Sequence, residues 1–311
     1  MLSRVANNLF WMDRYIERSY GLLNLIKTNF NSTLDSGDYS SWNNILSIYL
    51  GIDKNQQFEN YQDSLSIIKF ILFDKNNANT HLNMIINARE NARSVQEHIS
   101  RELWLSVNKY YLHFSNTDII NKYENDDPIT FVNDLLLFNH IYYSVADITQ
   151  ERGNAYCFMN LGKYLERVVQ SIDFISVRIN TMDLKNENIY ESFFWKNLLI
   201  SIGGYQLYLK KYKSIFGHEN IIEMIALNEN FPRSIKYSVN KLHIHIERLY
   251  RFNNLEDNQL LFKIGKLKNH LNYTTIENIK EEGIDAFLFY LQSELREISS
   301  IINKTFFYQI Q

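Results

Sequence analysis

The chain has 311 residues, 45% of them hydrophobic and 14% aromatic, so it is long and apolar enough to bury a substantial core and is not expected to be disordered. A formal net charge of −3 argues against a dominant role in nucleic-acid binding, because that role requires an excess of positive charge. Ten glycines and two prolines are too few for a turn-rich all-β fold, and a single cysteine excludes an intramolecular disulfide bond.

Apolar residues recurring at three- and four-residue steps predict α-helices along the first half of the chain. The predicted helices cover residues 2–30, a short segment from Trp42 to Gly51, residues 57–73 and residues 80–112. Polar residues 31–37 predict a turn between the first two. The last of these helices contains no glycine or proline, so it is predicted to continue without a break for about nine turns.

The second half of the chain continues the same pattern. Asp127-Pro128 is typical of a helix start, because proline lacks the N–H group that stays unpaired in a first helical turn, and this helix is predicted to run to about residue 147. Further helices are predicted at residues 154–182, around Trp195, at 219–228, from Phe231-Pro232 onward, at 257–271 and at 280–306. No stretch alternates polar and apolar residues with a period of two, so we predict an all-α helical bundle.

Three short sequence words occur twice in the same order, which indicates a duplicated module. The repeated pairs are residues 11–18 (WMDRYIER) with 160–167 (NLGKYLER), Trp42 and Gly51 with Trp195 and Gly204, and Arg93-Ser94 with Arg233-Ser234. We therefore predict two tandem, pseudo-symmetric helical modules, residues 1–148 and residues 149–311, packed as one globular unit.

The repeated words place charged side chains on one side of a helix, since Arg14, Glu17 and Arg18 are spaced at i, i+3 and i+4. Buried charges are tolerated only when they are paired, so one interpretation is a structural network in which Glu17 pairs with an arginine such as Arg93. The structural residues are then Trp11, Glu17, Trp42, Trp104, Glu166 and Trp195. A second interpretation is that arginines line grooves that hold a partner or an anionic peptide. The binding candidates are Arg4, Arg14, Arg18, Arg89, Arg93, Arg167 and Arg233.

Two catalytic interpretations also stay open. Glu17 or Glu166 could act as an acid or base, although flanking arginines lower the pKa of a carboxyl group and such catalysis usually needs a raised pKa. Arg93 and His98 form the Arg-x4-His pattern of certain helical ribonucleases, but two fixed residues arise easily by chance.

No sequence feature points to a cofactor, a metal or a membrane. There is no glycine-rich phosphate loop, and the eight histidines form no coherent ligand set. The N-terminal residues lack the pattern of a secretory signal, and no apolar run reaches the roughly 20 residues of a membrane-spanning helix. We therefore expect a cytoplasmic protein without cofactor or membrane contact.

The opening string, residues 1–18 (MLSRVANNLFWMDRYIER), resembles the start of the bacterial alpha-E proteins, an all-helical family of unknown function. Residues 87–95, 161–167 and 231–234 resemble later motifs of that family in the same order. Two positions depart from the family pattern: Asp13 stands where glycine is usual, and Lys163 where arginine is usual. Because lysine cannot reproduce a bidentate arginine contact, the second word is expected to be more structural than the first.

The resemblance also implies a functional context. Alpha-E proteins are typically encoded beside, or fused to, circularly permuted ATP-grasp ligases, often near a transglutaminase-like peptidase. This implies a role in making or modifying a peptide or amide-linked product. Our leading hypothesis is a non-catalytic partner of the ligase, and the alternative is an enzyme of the same pathway.

Overall fold

The computed structural model describes residues 1–37, 39–51, 63–116, 118–181, 189–213 and 216–308. Within these ranges every regular element is helical, which confirms the all-α prediction. The chain divides into two compact units, an N-terminal unit (Trp11–Glu151) and a C-terminal unit (Met1–Phe10 with Arg152–Gln311). The division proposed from sequence and the pseudo-symmetry of the two modules remain predictions.

The described residues of the N-terminal unit form most of the first helix and six others. These are α1 (Ser3–Ser36), α2 (Ser40–Ile45), α3 (Ser64–Phe73), α4 (His81–Ser94), α5 (Arg101–Phe114), α6 (Ile119–Asn125) and α7 (Pro128–Thr149). Helix α7 begins as predicted, since the Asp127 carboxylate accepts the Thr130 backbone N–H at 2.8 Å. Helix α2 continues into a π-helical segment, Leu46–Leu50, which ends at Gly51 with φ of +65°.

Helices α1 and α7 pack side by side in antiparallel orientation. Glu17 of α1 contacts Tyr143 of α7, whereas Lys27, further along α1, contacts Asn133, which is nearer the start of α7. The contacts between them include buried hydrogen bonds: Asp13, Glu17 and Ser19 of α1 meet Tyr142, Tyr143 and Asn139 of α7. This arrangement places the first Glu-Arg word in the interior of the N-terminal unit.

A closed ring of four buried side chains ties α1, α4, α5 and α7 together. His81 contacts Ser19 through Nδ1 at 3.3 Å and Tyr110 through Nε2 at 3.0 Å, while Asn139 contacts the Ser19 hydroxyl at 3.5 Å and the Tyr110 hydroxyl at 3.1 Å. One consistent direction satisfies all four groups: His81 donates to Ser19, Ser19 to Asn139, Asn139 to Tyr110, and Tyr110 to His81. Burial lowers the pKa of His81 to about 3, so the imidazole stays neutral and the ring carries no charge.

The prediction of one long helix over residues 80–112 is wrong, because the chain breaks between α4 and α5. At the break Ser100 caps α5 by accepting the Leu103 N–H at 3.1 Å, and its own N–H donates to the Gln150 side chain at 2.9 Å. A helix cap stabilises by about 1 kcal/mol, comparable to the net value of one backbone hydrogen bond. The two interactions therefore offset part of the helical hydrogen bonding that the break removes, without glycine or proline.

Other boundaries also differ from the sequence prediction. Helix α1 runs six residues beyond residue 30, because Ser32 and Thr33 are buried and Thr33 accepts the Trp42 indole N–H at 3.1 Å. Helix α6 forms in a segment for which no helix was predicted, since Ile119 and Tyr123 bury their side chains. Helix α3 begins at Ser64, and residues 57–62 of its predicted range lie outside the described residues.

The described residues of the C-terminal unit form eight further helices. These are α8 (Asn154–Thr181), α9 (Ile189–Ser201), α10 (Tyr205–Tyr212), α11 (His218–Leu227), α12 (Ile235–Asn253), α13 (Gln259–Tyr273), α14 (Ile276–Glu282) and α15 (Ile284–Ile302). Helix α10 was not predicted, and the helix predicted at 280–306 is divided by Gly283, whose φ of +96° suits only glycine. None of the described helices of either unit is long and apolar enough to cross a membrane.

Helices α8 and α12 form the centre of the C-terminal unit and run antiparallel. Asn154 at the start of α8 bonds to Asn253 at the end of α12, and Ser171 donates to the carbonyl of Arg233 just before α12. Between these ends the rings of Tyr164 and Tyr237 lie 6.4 Å apart. One side of this pair is buried in the core, and the opposite side carries several cations.

Candidate functional site

The first Glu-Arg word is buried and its carboxylates are bound by tyrosines. Glu17 is fully buried, and the Tyr143 hydroxyl donates to its Oε2 at 2.7 Å. One turn earlier, buried Asp13 accepts a hydrogen bond from Tyr142. Burial, and next the negative charge of Asp13, raise the pKa of Tyr142 well above its usual value, so this tyrosine remains a donor.

Arg18 of the same word holds the end of the π-helical segment. Its Nη2 donates to the carbonyl oxygens of Ile48 at 3.2 Å and Tyr49 at 3.1 Å, and its guanidinium lies 5.1 Å from the centre of the Tyr49 ring. Carbonyls at a helix C-terminus have no helical partner, so a cation there satisfies them. Arg14 lies 4.7 Å from the ring centre of the partly exposed Trp11. Arg18 is thus engaged by backbone of the fold.

In the second Glu-Arg word the arginine also donates to a backbone carbonyl oxygen. Glu166 is 1% exposed, and Arg167 donates from Nη1 to the carbonyl of Pro232 at 3.0 Å. The Arg167 guanidinium also lies 5.3 Å from the Tyr164 ring centre. This contact fixes the turn before α12, where Ser234 caps the helix by accepting the Tyr237 N–H.

The remaining arginine candidates are divided between the two units. Arg89 and Arg93 both pair with Glu90, at 2.5 Å and 2.6 Å, so the predicted pairing of Glu17 with Arg93 is wrong. Arg89 is held further by Asn108 at 3.3 Å and by the ring of Tyr111. In the C-terminal unit, Arg4 is exposed near the start of α1 and the side chain of Arg233 is half-buried.

The tryptophans and histidines named from sequence occupy contrasting environments. Trp42 and Trp195 are almost fully buried, which agrees with core positions, whereas Trp104 is half-buried 5.7 Å from Arg89. His98 is exposed in a short 3-10 turn between α4 and α5, so it does not continue the helix of Arg93. No group of three or more metal-ligating side chains occurs among the described residues.

A concentration of positive charge lies along the outer side of α8 and α12, and we call it the basic face. Its cations are Arg152, Lys163, Lys241 and Arg248, and its rings are Tyr156, Tyr164, Tyr237 and His245. Three cations lie over tyrosine rings, with 4.2 Å from Arg152 to Tyr156 as the shortest distance. Cation–π contacts of this kind hold charged groups in place at a surface.

His245 lies among the cations of the basic face, and its pKa shows their effect. Its ring is 5% exposed, lies stacked on Tyr164 with centroids 6.0 Å apart, and meets the edge of Tyr156 at 5.7 Å. Burial first, and then the positive charges of the four cations of the basic face, lower the pKa of His245 to about 3. The charges that lower this pKa all belong to cations, which places positive charge close to the ring.

Two cations of the basic face have no carboxylate partner. Neither Lys241 nor Arg248 forms an ion pair with any of the described residues. In contrast, Lys263 on α13 is bound by Glu294 at 3.0 Å and by Glu297. A surface cation that is not neutralised by an ion pair leaves its charge available for an external anion.

Sequence reasoning did not include Lys241 or Arg248 among the binding candidates. The only available signal was their spacing of seven residues, which places them two turns apart on the same side of a helix. That spacing does not show that α8 adds Arg152 and Lys163 beside them.

The comparisons with known proteins agree with the helical architecture. A family model described as "a predicted alpha-helical domain with a conserved ER motif" matches residues 1–307. The Glu-Arg pairs at 17–18 and 166–167 fit that description. No curated protein and no solved structure matches the chain.

Proposed function

This chain belongs to the Alpha-E family, and we propose that it is a non-catalytic binding component of an ATP-grasp peptide or amide ligase system, which holds an acidic peptide segment through surface cations. A ligase that extends or modifies a peptide needs its substrate or its partner held in position, and a helical protein can do this without chemistry of its own. A transglutaminase-like protein of the same system is a second possible partner.

The observation that supports this proposal most is the state of the Glu-Arg words. Both glutamates are buried, at 0% and 1% exposure, and Arg18 and Arg167 donate to backbone carbonyls. A catalytic carboxylate has to reach its substrate, either directly or through one water molecule. Residues that fill the interior and fix helix ends contribute to the fold instead, which leaves the surface cations as the groups able to meet a ligand.

Co-purification with a circularly permuted ATP-grasp ligase, of the kind that the family resemblance implies as a partner, tests the proposal. Both proteins are expressed together, the ligase carries the affinity tag, and recovery of the untagged chain is measured at low and at high salt. We expect co-purification at low salt that weakens as salt screens the charges. Absence of association, together with unchanged ligase activity when the chain is omitted, would overturn the proposal.

A further inference from the structure

We propose that the basic face is the binding site for the acidic segment and that it takes two carboxylates about 10 Å apart, one at each end of the face. This inference rests on the proposed function, which supplies the acidic peptide as the ligand. Its further content is the location of the site and the spacing of the charges that the ligand must carry.

The antiparallel register of α8 and α12 sets out the cations in two pairs. Because Asn154 meets Asn253 and Tyr164 meets Tyr237, the residues near the start of α8 lie beside the end of α12. Arg152 therefore lies toward the same end of the face as Arg248. By the same register Lys163 lies toward the same end as Lys241. His245 lies between these ends, in contact with Tyr156 and Tyr164.

The distance between the two ends follows from helix geometry. Lys241 and Arg248 are seven residues apart on α12, which at 1.5 Å per residue is about 10.5 Å along the axis. A peptide in the polyproline II conformation has three residues per turn and advances about 3.1 Å per residue, so side chains at i and i+3 lie on the same side about 9 Å apart. Two glutamates at positions i and i+3 of such a segment therefore match the two ends of the face.

The electrostatics favour anionic groups at both ends. The imidazole of His245 is neutral, so it adds no charge that would oppose or replace a ligand. Three of the four cations lie over tyrosine rings, within 4.2 to 5.4 Å of the ring centres. Side chains already held on rings lose less conformational freedom when a carboxylate binds than cations that move freely in solvent. Neither Lys241 nor Arg248 forms an ion pair with the described residues, so a carboxylate that binds these two cations does not have to displace an internal one.

The test uses the full chain and three fluorescein-labelled peptides of equal length. One carries two glutamates separated by two serines, one carries two adjacent glutamates, and one carries glutamines in place of both glutamates. Affinity is measured by fluorescence anisotropy at low ionic strength. The protein variants are Lys241→Ala with Arg248→Ala and, as a matched control, Lys266→Ala with Arg296→Ala, two exposed cations without ion pairs in the described part of α13 and α15.

We expect the wild-type chain to bind the peptide with spaced glutamates more tightly than the one with adjacent glutamates, and the glutamine peptide weakest. Removing Lys241 and Arg248 should weaken binding of the spaced peptide about tenfold, since each exposed ion pair contributes modestly and two are lost. The control variant should change affinity by less than about twofold. Both variants should keep the wild-type melting temperature, because these side chains lie at the surface.

Two outcomes would overturn the inference, and they can be told apart. If the wild-type chain binds the acidic peptides but both double variants lose affinity equally, the positive charge acts without a defined site, and only the location is wrong. If the wild-type chain binds none of the acidic peptides, the proposed function fails together with the inference.

Discussion

Replacing Tyr110 with phenylalanine tests the closed ring of buried hydrogen bonds. The substitution removes one hydroxyl group, which accepts from Asn139 at 3.1 Å and contacts His81 Nε2 at 3.0 Å, and it keeps the ring that stacks on Phe138 at 4.9 Å. The amide of Asn139 keeps its second contact, to the carbonyl of Leu135, but Nε2 of the fully buried His81 loses its partner. A buried polar atom left without a partner costs about 1–3 kcal/mol, so we expect Tyr110→Phe to lower the free energy of unfolding by about 2 kcal/mol.

The assay is urea denaturation at neutral pH, followed by circular dichroism and by tryptophan fluorescence, and coincident transitions justify a two-state fit. Tyr111→Phe is the matched control, because it removes a hydroxyl from the neighbouring half-buried residue without breaking a hydrogen bond in the described structure. Its effect should stay below about 0.5 kcal/mol. Equal stability of Tyr110→Phe and the wild type, or equal losses in the two variants, would refute the ring as a stabilising element.

Two further predictions concern charged and titratable groups. Arg18→Lys should lower the free energy of unfolding by roughly 1–2 kcal/mol in urea denaturation, because an ammonium group cannot keep both carbonyl contacts and the flat contact with the Tyr49 ring. The control is Arg101→Lys at an exposed position, and a loss for Arg18→Lys no larger than that of the control would contradict this prediction. His81 and His245 have a pKa of about 3 in the folded chain against 6.5 when unfolded, so the unfolded state binds more protons and stability falls as the pH drops from 6.5 toward 3. At pH 4.5 each histidine should lower the free energy of unfolding by about 3 kcal/mol. His245→Gln should remove about half of this pH dependence, and the control His98→Gln, at an exposed position, should remove none. Melting temperatures measured across this pH range check both expectations.

Local sequence signals predicted the helices well where the cause of a boundary is also local. The start of α7 at Pro128 follows from Asp127 and Pro128 themselves, and the aligned side chains of Arg14, Glu17 and Arg18 follow from helical spacing. The break between α4 and α5 was missed because it depends on Gln150, which is 50 positions away from Ser100 in the chain. The pattern of apolar residues within 80–112 gives no indication of this contact with Gln150.

The site was predicted less well, because residue types do not reveal what an arginine binds. The pattern gave no sign that Arg18 and Arg167 donate to carbonyl oxygens, because every residue carries a carbonyl group. The basic face depends on the register of α8 against α12, and a single sequence does not encode that register in any short motif. Lys241 and Arg248 are therefore identified as binding candidates by the packing of α8 against α12 and not by the sequence.

The central claim is that the Glu-Arg words build the fold and that surface cations bind the ligand. The most direct measurement compares Glu17→Gln with the wild type in both stability and binding of the peptide with spaced glutamates, with exposed Glu97→Gln as the control. Since Glu17 is fully buried and accepts a hydrogen bond from Tyr143, we predict a loss of roughly 1–3 kcal/mol in unfolding free energy. Peptide affinity should stay within about twofold of the wild type under folding conditions. Unchanged stability with lost binding or lost pathway activity would contradict the claim and make Glu17 a functional group.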